Sequence, residues 1–220
     1  MAEDTPAGVE HLDHPDVKRF AEVAQKVCDL FERMDDLSEV EFLRQLEESL
    51  PLAYSLAHRI PDLYERDDDE DDEEDEGNED VDDDDESVRW ERPPQGMSER
   101  ENMARRKDLY QRIGEKLGTH SRIHFVLDPV SPDEQEAVDG ELAYLLSTLY
   151  LDLKEGLILY ARSSDEDRAQ GLWNLWFGMK HDWGWKLAQA FLPIHSLLHW
   201  HYDSIGEEWW ANYDAEVRLP

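Results

Sequence analysis

An acidic run of twenty residues, Asp67 to Glu86, restricts the fold of this chain more than any other feature of its sequence. The run reads DDDEDDEEDEGNEDVDDDDE, in which seventeen residues are Asp or Glu and the only aliphatic side chain is Val81. Such a segment cannot bury enough apolar surface to offset the entropy lost when a chain becomes ordered. We therefore predict a disordered acidic loop over residues 65–97, with the folded core built from the sequence on either side.

The charge of the chain restricts the classes of partner that it can bind. Its 220 residues carry a formal net charge of −33, and −16 remains when the seventeen acids of the run are removed. An acidic surface repels phosphate backbones, which argues against direct nucleic-acid binding. The same surface attracts basic proteins and cations.

The N-terminus and the single cysteine bear on the cellular compartment. Cys28 excludes an internal disulfide framework, and its position in VAQKVCDLF predicts a buried structural thiol. The segment MAEDTPAGVE lacks the basic and apolar regions of a signal peptide, and no apolar run approaches the roughly 20 residues of a membrane helix. We expect a cytoplasmic protein that does not associate with membranes.

Apolar residues recur every three or four positions along most of the remaining sequence, which predicts amphipathic helices. The N-terminal part, residues 15–64, follows a flexible segment 1–14. It contains a helix over 16–34 and a second that a Ser38–Glu41 capping box opens. Pro51 is expected to break or kink this second helix.

The C-terminal part, residues 98–205, belongs to the same domain and precedes a tail at 206–220. Ser98 and Glu101 open a helix that Gly118 ends. Residues 119–130 are β-leaning but lack a partner strand, so we predict an extended connector. Three further helices are predicted: one from Ser131 to about 163, with a possible joint at Gly140; one from Ser164; and one from about 186 to 202 after a Trp-Gly-Trp joint at 183–185. The fold class is therefore all-α, a bundle of about six helices.

Three segments of the chain resemble bacterial domain-of-unknown-function family 5063. They are LPLAYSLAHRIPDLY at 50–64, KDLYQRIGEKLGTHSRIHFVLDP at 107–129, and LYLDLKEGLILY with LWNLWFGMKHDWGWKLAQAF at 149–160 and 172–191. The resemblance covers about 15–200 and implies the family's fold and a cytoplasmic bacterial setting, but no activity. Two departures are the inserted Asp182 in the family's HWG-type joint and Lys186, where the family often has histidine; a role of that second histidine is therefore not carried over to this chain.

Histidines near the C-terminus form one candidate site, a metal centre. His195 and His199 are four residues apart, so both rings can point from one helix face, with His181 or an acid from a facing helix as a third ligand. The protease signature HExxH is absent. The alternative is that these histidines lie beside a core face of Phe191, Ile194 and Leu198 and are purely structural.

Tryptophans form a second candidate site. Seven of the eight lie between 173 and 210, which predicts either core packing or an exposed aromatic groove. Trp209 and Trp210 are adjacent in a polar tail and cannot both face one core, so at least one is a candidate interface anchor. Mid-helix charges at Asp152, Lys154 and Glu155 are expected on an outer helix face. We find no catalytic constellation and predict neither an enzyme nor a cofactor.

The acidic run has three open interpretations: a solvated linker, an arm that captures a basic partner, or a weak cation binder that lacks calcium-loop spacing. The leading hypothesis is a non-enzymatic interaction module that binds a basic protein, and an immunity-type or inhibitor protein is one form that it can take. The alternatives are a metal-binding protein or metal-dependent enzyme, and a structural subunit of an oligomer. The candidate partner-binding residues are Asp67, Asp68, Asp69, Glu70, Asp71, Asp72, Glu73, Glu74, Asp75, Asp82, Asp83, Asp84, Asp85, Trp209 and Trp210.

Overall fold

A computed structural model of the chain describes residues 8–63, 96–126 and 137–202. The predicted all-α class is confirmed, with six α-helices and one two-stranded sheet in these ranges. The elements are α1 (Pro15–Glu32), α2 (Glu39–Ala57), α3 (Glu99–Leu117), β1 (Arg122–Val126), β2 (Ala137–Glu141), α4 (Leu142–Tyr160), α5 (Asp165–His181) and α6 (Trp183–Ser196), followed by a π-helical segment (Leu197–Tyr202).

The helix starts follow from local side-chain chemistry. Capping boxes at Ser38 and Ser98 open α2 and α3, and the Ser164 hydroxyl accepts the backbone N–H of Asp167 at the start of α5. Gly118 ends α3 with φ +53°, a conformation that favours glycine. Pro51, predicted to break or kink α2, does not break it: the helix runs through Pro51 to Ala57, although the proline has no N–H for a backbone hydrogen bond.

The strands at 122–126 and 137–141 contradict the prediction that the β-leaning segment 119–130 lacks a partner strand. β1 and β2 pair antiparallel, with Arg122 opposite Glu141 and Phe125 opposite Val138. The region before 142 was predicted to be helical, but 137–141 is extended. Gly140 has a low helix propensity, and the ring of Phe125 lies where a side chain at Gly140 would be, so the sheet uses this glycine. The predicted helix start at Ser131 lies outside the described residues.

Helix α4 is the centre of the fold. Thirteen of its nineteen residues are buried, and it packs against α1, α3, α5 and α6. It is therefore buried on most sides rather than on one. At the crossing with α5, Gly156 faces Gly171, and a Cβ at either position would meet the opposite helix. Gly156 therefore marks a close crossing of the two helices.

Helix α6 packs against α2, α4 and α5, and this arrangement positions the histidine region described below. Its first residue, Trp183, is fully buried, stacks on Phe20 with ring centroids 5.9 Å apart, and donates its indole N–H to the carbonyl of Leu175 at 2.9 Å. The helix thus begins at Trp183, earlier than predicted. Within the described ranges, no helix has both the length and the apolar character to cross a membrane.

Candidate functional site

Two of the predicted metal-ligand histidines lie together against helix α2. The Nδ1 atom of His195 is 2.7 Å from Oε1 of Glu47, and Nε2 of His199 is 3.0 Å from the same oxygen. The two imidazole rings have centroids 4.5 Å apart. All three donor atoms lie within 4.8 Å of one another, so the group is compact enough to be drawn around a single ion. We call Glu47, His195 and His199 the His-Glu cluster.

The local helix geometry accounts for this placement. Ile194 and Leu198 are buried, as predicted, and they leave the side chains of His195 and His199 at the edge of the core, 47% and 44% exposed. Phe191, predicted to face the core, is only partly buried. The π segment begins at Leu197, between the two histidines, and such segments are frequent at functional sites.

His181 does not join the His-Glu cluster. It ends α5 and packs against Phe177, with ring centroids 4.5 Å apart. The acid of a facing helix, the other possibility raised by the sequence, is Glu47. Periodicity could not select Glu47 from the other acids of α2, since the choice depends on how α2 and α6 pack.

A second histidine group, missed by the sequence analysis, lies at the start of α2. His120 contacts Glu39 at 3.2 Å and the hydroxyl of Tyr202 at 2.8 Å. Burial raises the pKa of Tyr202, and its hydrogen bond with Glu39 raises it further. The pKa of Tyr202 lies above the ordinary range, so this hydroxyl stays protonated and serves as a hydrogen-bonding group.

The tryptophans divide between the core and the surface. Trp176 and Trp183 are buried, and Trp173 is partly buried and stacked on Phe177. Trp185 and Trp200 are 41% and 53% exposed. On α6, Leu192 follows Trp185 by seven residues and is 67% exposed, so the two lie on one helix face. We call Trp185, Leu192 and Trp200 the exposed apolar set.

The mid-helix charges of α4 form ion pairs. Lys154 pairs with Glu32 at 2.7 Å, and Asp152 pairs with Lys186 at 2.8 Å. Asp182 also contacts Lys186 at 2.7 Å, so the two departures from the family motif lie in contact with each other. Burial raises the pKa of Asp152 to about 6, against the opposing effect of Lys186. These contacts assign the charges a structural role.

Two concave surfaces line helix α3. A cavity of about 400 Å³ is bounded by α1, α3 and α4, and its charged walls pair internally, as in the contact of Arg112 with Asp108 at 3.4 Å. A groove of about 360 Å³ lies between α3 and α4, where the Arg106 guanidinium stacks over Tyr144. Neither surface is predictable from sequence patterns, because each is lined by residues far apart in the chain.

Several predicted site residues lie outside the described residues. They are the acids of the run from Asp67 to Glu86 and the tail tryptophans Trp209 and Trp210. Their assignment to partner binding stays a prediction. Cys28 is buried, as predicted, and burial raises the pKa of its thiol to about 12.

Comparisons with known proteins agree with the sequence motifs. The crystal structure of protein BF1032 from Bacteroides fragilis is similar to this chain, with a TM-score of 0.59 and 17% identity over 84% of this chain and 92% of that one. At that identity the similarity shows the fold alone. No curated protein matches. The model of the family described as domain of unknown function DUF5063 matches residues 13–200, and the chain therefore belongs to the DUF5063 family.

Proposed function

We propose that this protein is a non-enzymatic interaction module that binds a basic protein partner. The observation that carries the proposal is the exposed apolar set on the C-terminal helices of a strongly acidic molecule. Leu192 is 67% exposed and Trp185 41% exposed, although most large apolar side chains of the described residues are buried. Exposed apolar patches mark protein interaction sites, and tryptophan is enriched among the residues that anchor them.

Charge supplies the second support for a basic partner. The net charge of −33 favours fast, salt-dependent association with a positively charged surface. In this proposal the acidic run attracts the partner, and the exposed apolar set provides the contact that persists at higher salt. A cytoplasmic bacterial setting is part of the same proposal, supported by the single buried cysteine and by the family resemblance.

The test is a pull-down of basic proteins from the host lysate at low and high salt. Leu192→Ser should weaken capture, whereas Met103→Ser should not, because Met103 is equally exposed at 67% but lies on α3. Replacing residues 67–86 by a neutral Gly/Ser linker should reduce capture at low salt. If the intact protein retains no basic protein at low salt, or if both serine variants lose the partner equally, the proposal is wrong.

A further inference from the structure

We propose that the His-Glu cluster is a binding site for a divalent first-row transition metal ion of the zinc type. The site consists of Glu47 from α2, His195 from α6 and His199 from the π segment. It is independent of the proposed interaction function, since it uses neither the acidic run nor the exposed apolar set.

The donor types select the class of ion. Two imidazole nitrogens and one carboxylate oxygen suit zinc, iron, cobalt, nickel or copper, whereas magnesium and calcium prefer oxygen ligands throughout. Three protein ligands also leave one coordination position for water, as in zinc sites with a replaceable ligand. The acids elsewhere on the surface offer only oxygen ligands, which suit magnesium and calcium instead.

The distances allow coordination after a small side-chain adjustment. A tetrahedral ion with bonds of about 2.1 Å holds its donors about 3.4 Å apart. Here the two nitrogen–oxygen distances are 2.7 and 3.0 Å, which are hydrogen-bond lengths. Each of these two nitrogen–oxygen distances therefore needs to increase by less than about 1 Å. Because both histidine side chains are nearly half exposed, they have room for this adjustment and an ion can reach them from solvent.

The backbone around the cluster is irregular on both sides. Pro51 lies four residues after Glu47 in α2 and has no N–H for the Glu47 carbonyl. Pro193 lies two residues before His195, and the π segment starts two residues after it. Each proline removes one backbone hydrogen bond from a helix that carries a donor, and the π segment that carries His199 is of a type frequent at functional sites.

The test is a metal titration of the full chain, purified without a polyhistidine tag and stripped with a chelator. Co²⁺ is followed by its visible spectrum and Zn²⁺ by calorimetry, with Mg²⁺ in excess to occupy weak oxygen sites. We expect one equivalent of Zn²⁺ to bind. Loss of a residue that only hydrogen-bonds to a metal ligand lowers metal affinity about 10- to 100-fold. His195→Ala and His199→Ala each remove a direct ligand, and we expect each to weaken binding by about 100-fold or more.

Two further variants separate coordination from a structural role. His124→Ala removes another exposed histidine–carboxylate pair, His124–Asp139 at 2.8 Å, that lacks a second histidine, so it should bind Zn²⁺ like the wild type. Glu47→Gln keeps an oxygen acceptor but removes the charge, and it should bind more weakly than wild type. Circular dichroism of each metal-free variant checks its fold. The site is overturned if wild type shows no detectable Zn²⁺ affinity, or if that affinity is unchanged in the His195→Ala, His199→Ala double variant. It is also overturned if His124→Ala loses as much Zn²⁺ affinity as the variants of the cluster.

Discussion

The buried Trp183 offers a direct test of how α6 is held against the core. We expect Trp183→Phe to lower the free energy of unfolding, because two terms are lost. The indole N–H no longer reaches the carbonyl of Leu175, which removes a hydrogen bond worth about 1 kcal/mol. The smaller ring leaves roughly 40 Å³ unfilled beside Phe20, which costs about 1 kcal/mol at about 24 cal/mol per Å³.

The expected total is therefore about 2 kcal/mol, or a decrease in Tm of roughly 4–8 °C for a chain of this size. The measurement is urea unfolding followed by far-UV circular dichroism, since fluorescence would change with the number of tryptophans. Trp185→Phe is the matched control: it makes the same chemical change two residues away, where the side chain is 41% exposed. We expect that variant to lie within about 0.5 kcal/mol of wild type.

Equal losses in the two variants would refute the reasoning, because burial would then not distinguish the two tryptophans. A loss below about 0.5 kcal/mol for Trp183→Phe would refute it as well, since neither the hydrogen bond nor the packing against Phe20 would then contribute at the expected level. Trp183→Ala extends the series, and the expected cost is about 3–5 kcal/mol.

Three further predictions follow from other contacts. Gly171→Ala should lower the free energy of unfolding in urea by about 1–3 kcal/mol, because its Cβ would meet α4. Gly114→Ala, with open space around it, should raise that free energy by up to about 1 kcal/mol. The reverse order of stability would contradict the α4–α5 crossing. Burial raises the pKa of Asp152 to about 6 from 3.8, so ionisation of this carboxyl favours the unfolded chain. As pH rises from about 4 to about 6, Asp152→Asn should therefore gain stability relative to wild type. A difference between the two proteins in urea unfolding that does not change with pH would exclude this. Cys28, with its thiol pKa raised to about 12, should react with a disulfide reagent at mildly alkaline pH only after denaturation, and rapid reaction of the native protein would contradict its burial.

The two proposals address different parts of the molecule and can fail separately. The interaction function depends on Leu192, on Trp185 and on the acidic run, whereas metal binding depends on Glu47 and the two histidines. Leu192→Ser leaves all three metal donors in place. Zn²⁺ affinity in that variant should therefore match wild type even where partner capture is lost.

Much of the fold was predictable because its signals are local. The capping boxes at Ser38 and Ser98 and the glycine stop at Gly118 act within one helical turn, and all three are confirmed. The strand pair was not predictable from the same signals. Residues 122–126 and 137–141 are extended because each provides hydrogen-bond partners for the other, and neither stretch alone shows that the other is adjacent.

The sequence by itself determined the helical class, most helix starts, the burial of Cys28 and the pairing of His195 with His199 at one helical spacing. Only the tertiary structure decided that Glu47, 148 positions from His195, completes the cluster and that His181 does not. It also decided which tryptophans are buried. The reason is physical: periodicity shows which residues share a face of one helix, but the contact between two helices depends on how both pack against a common core.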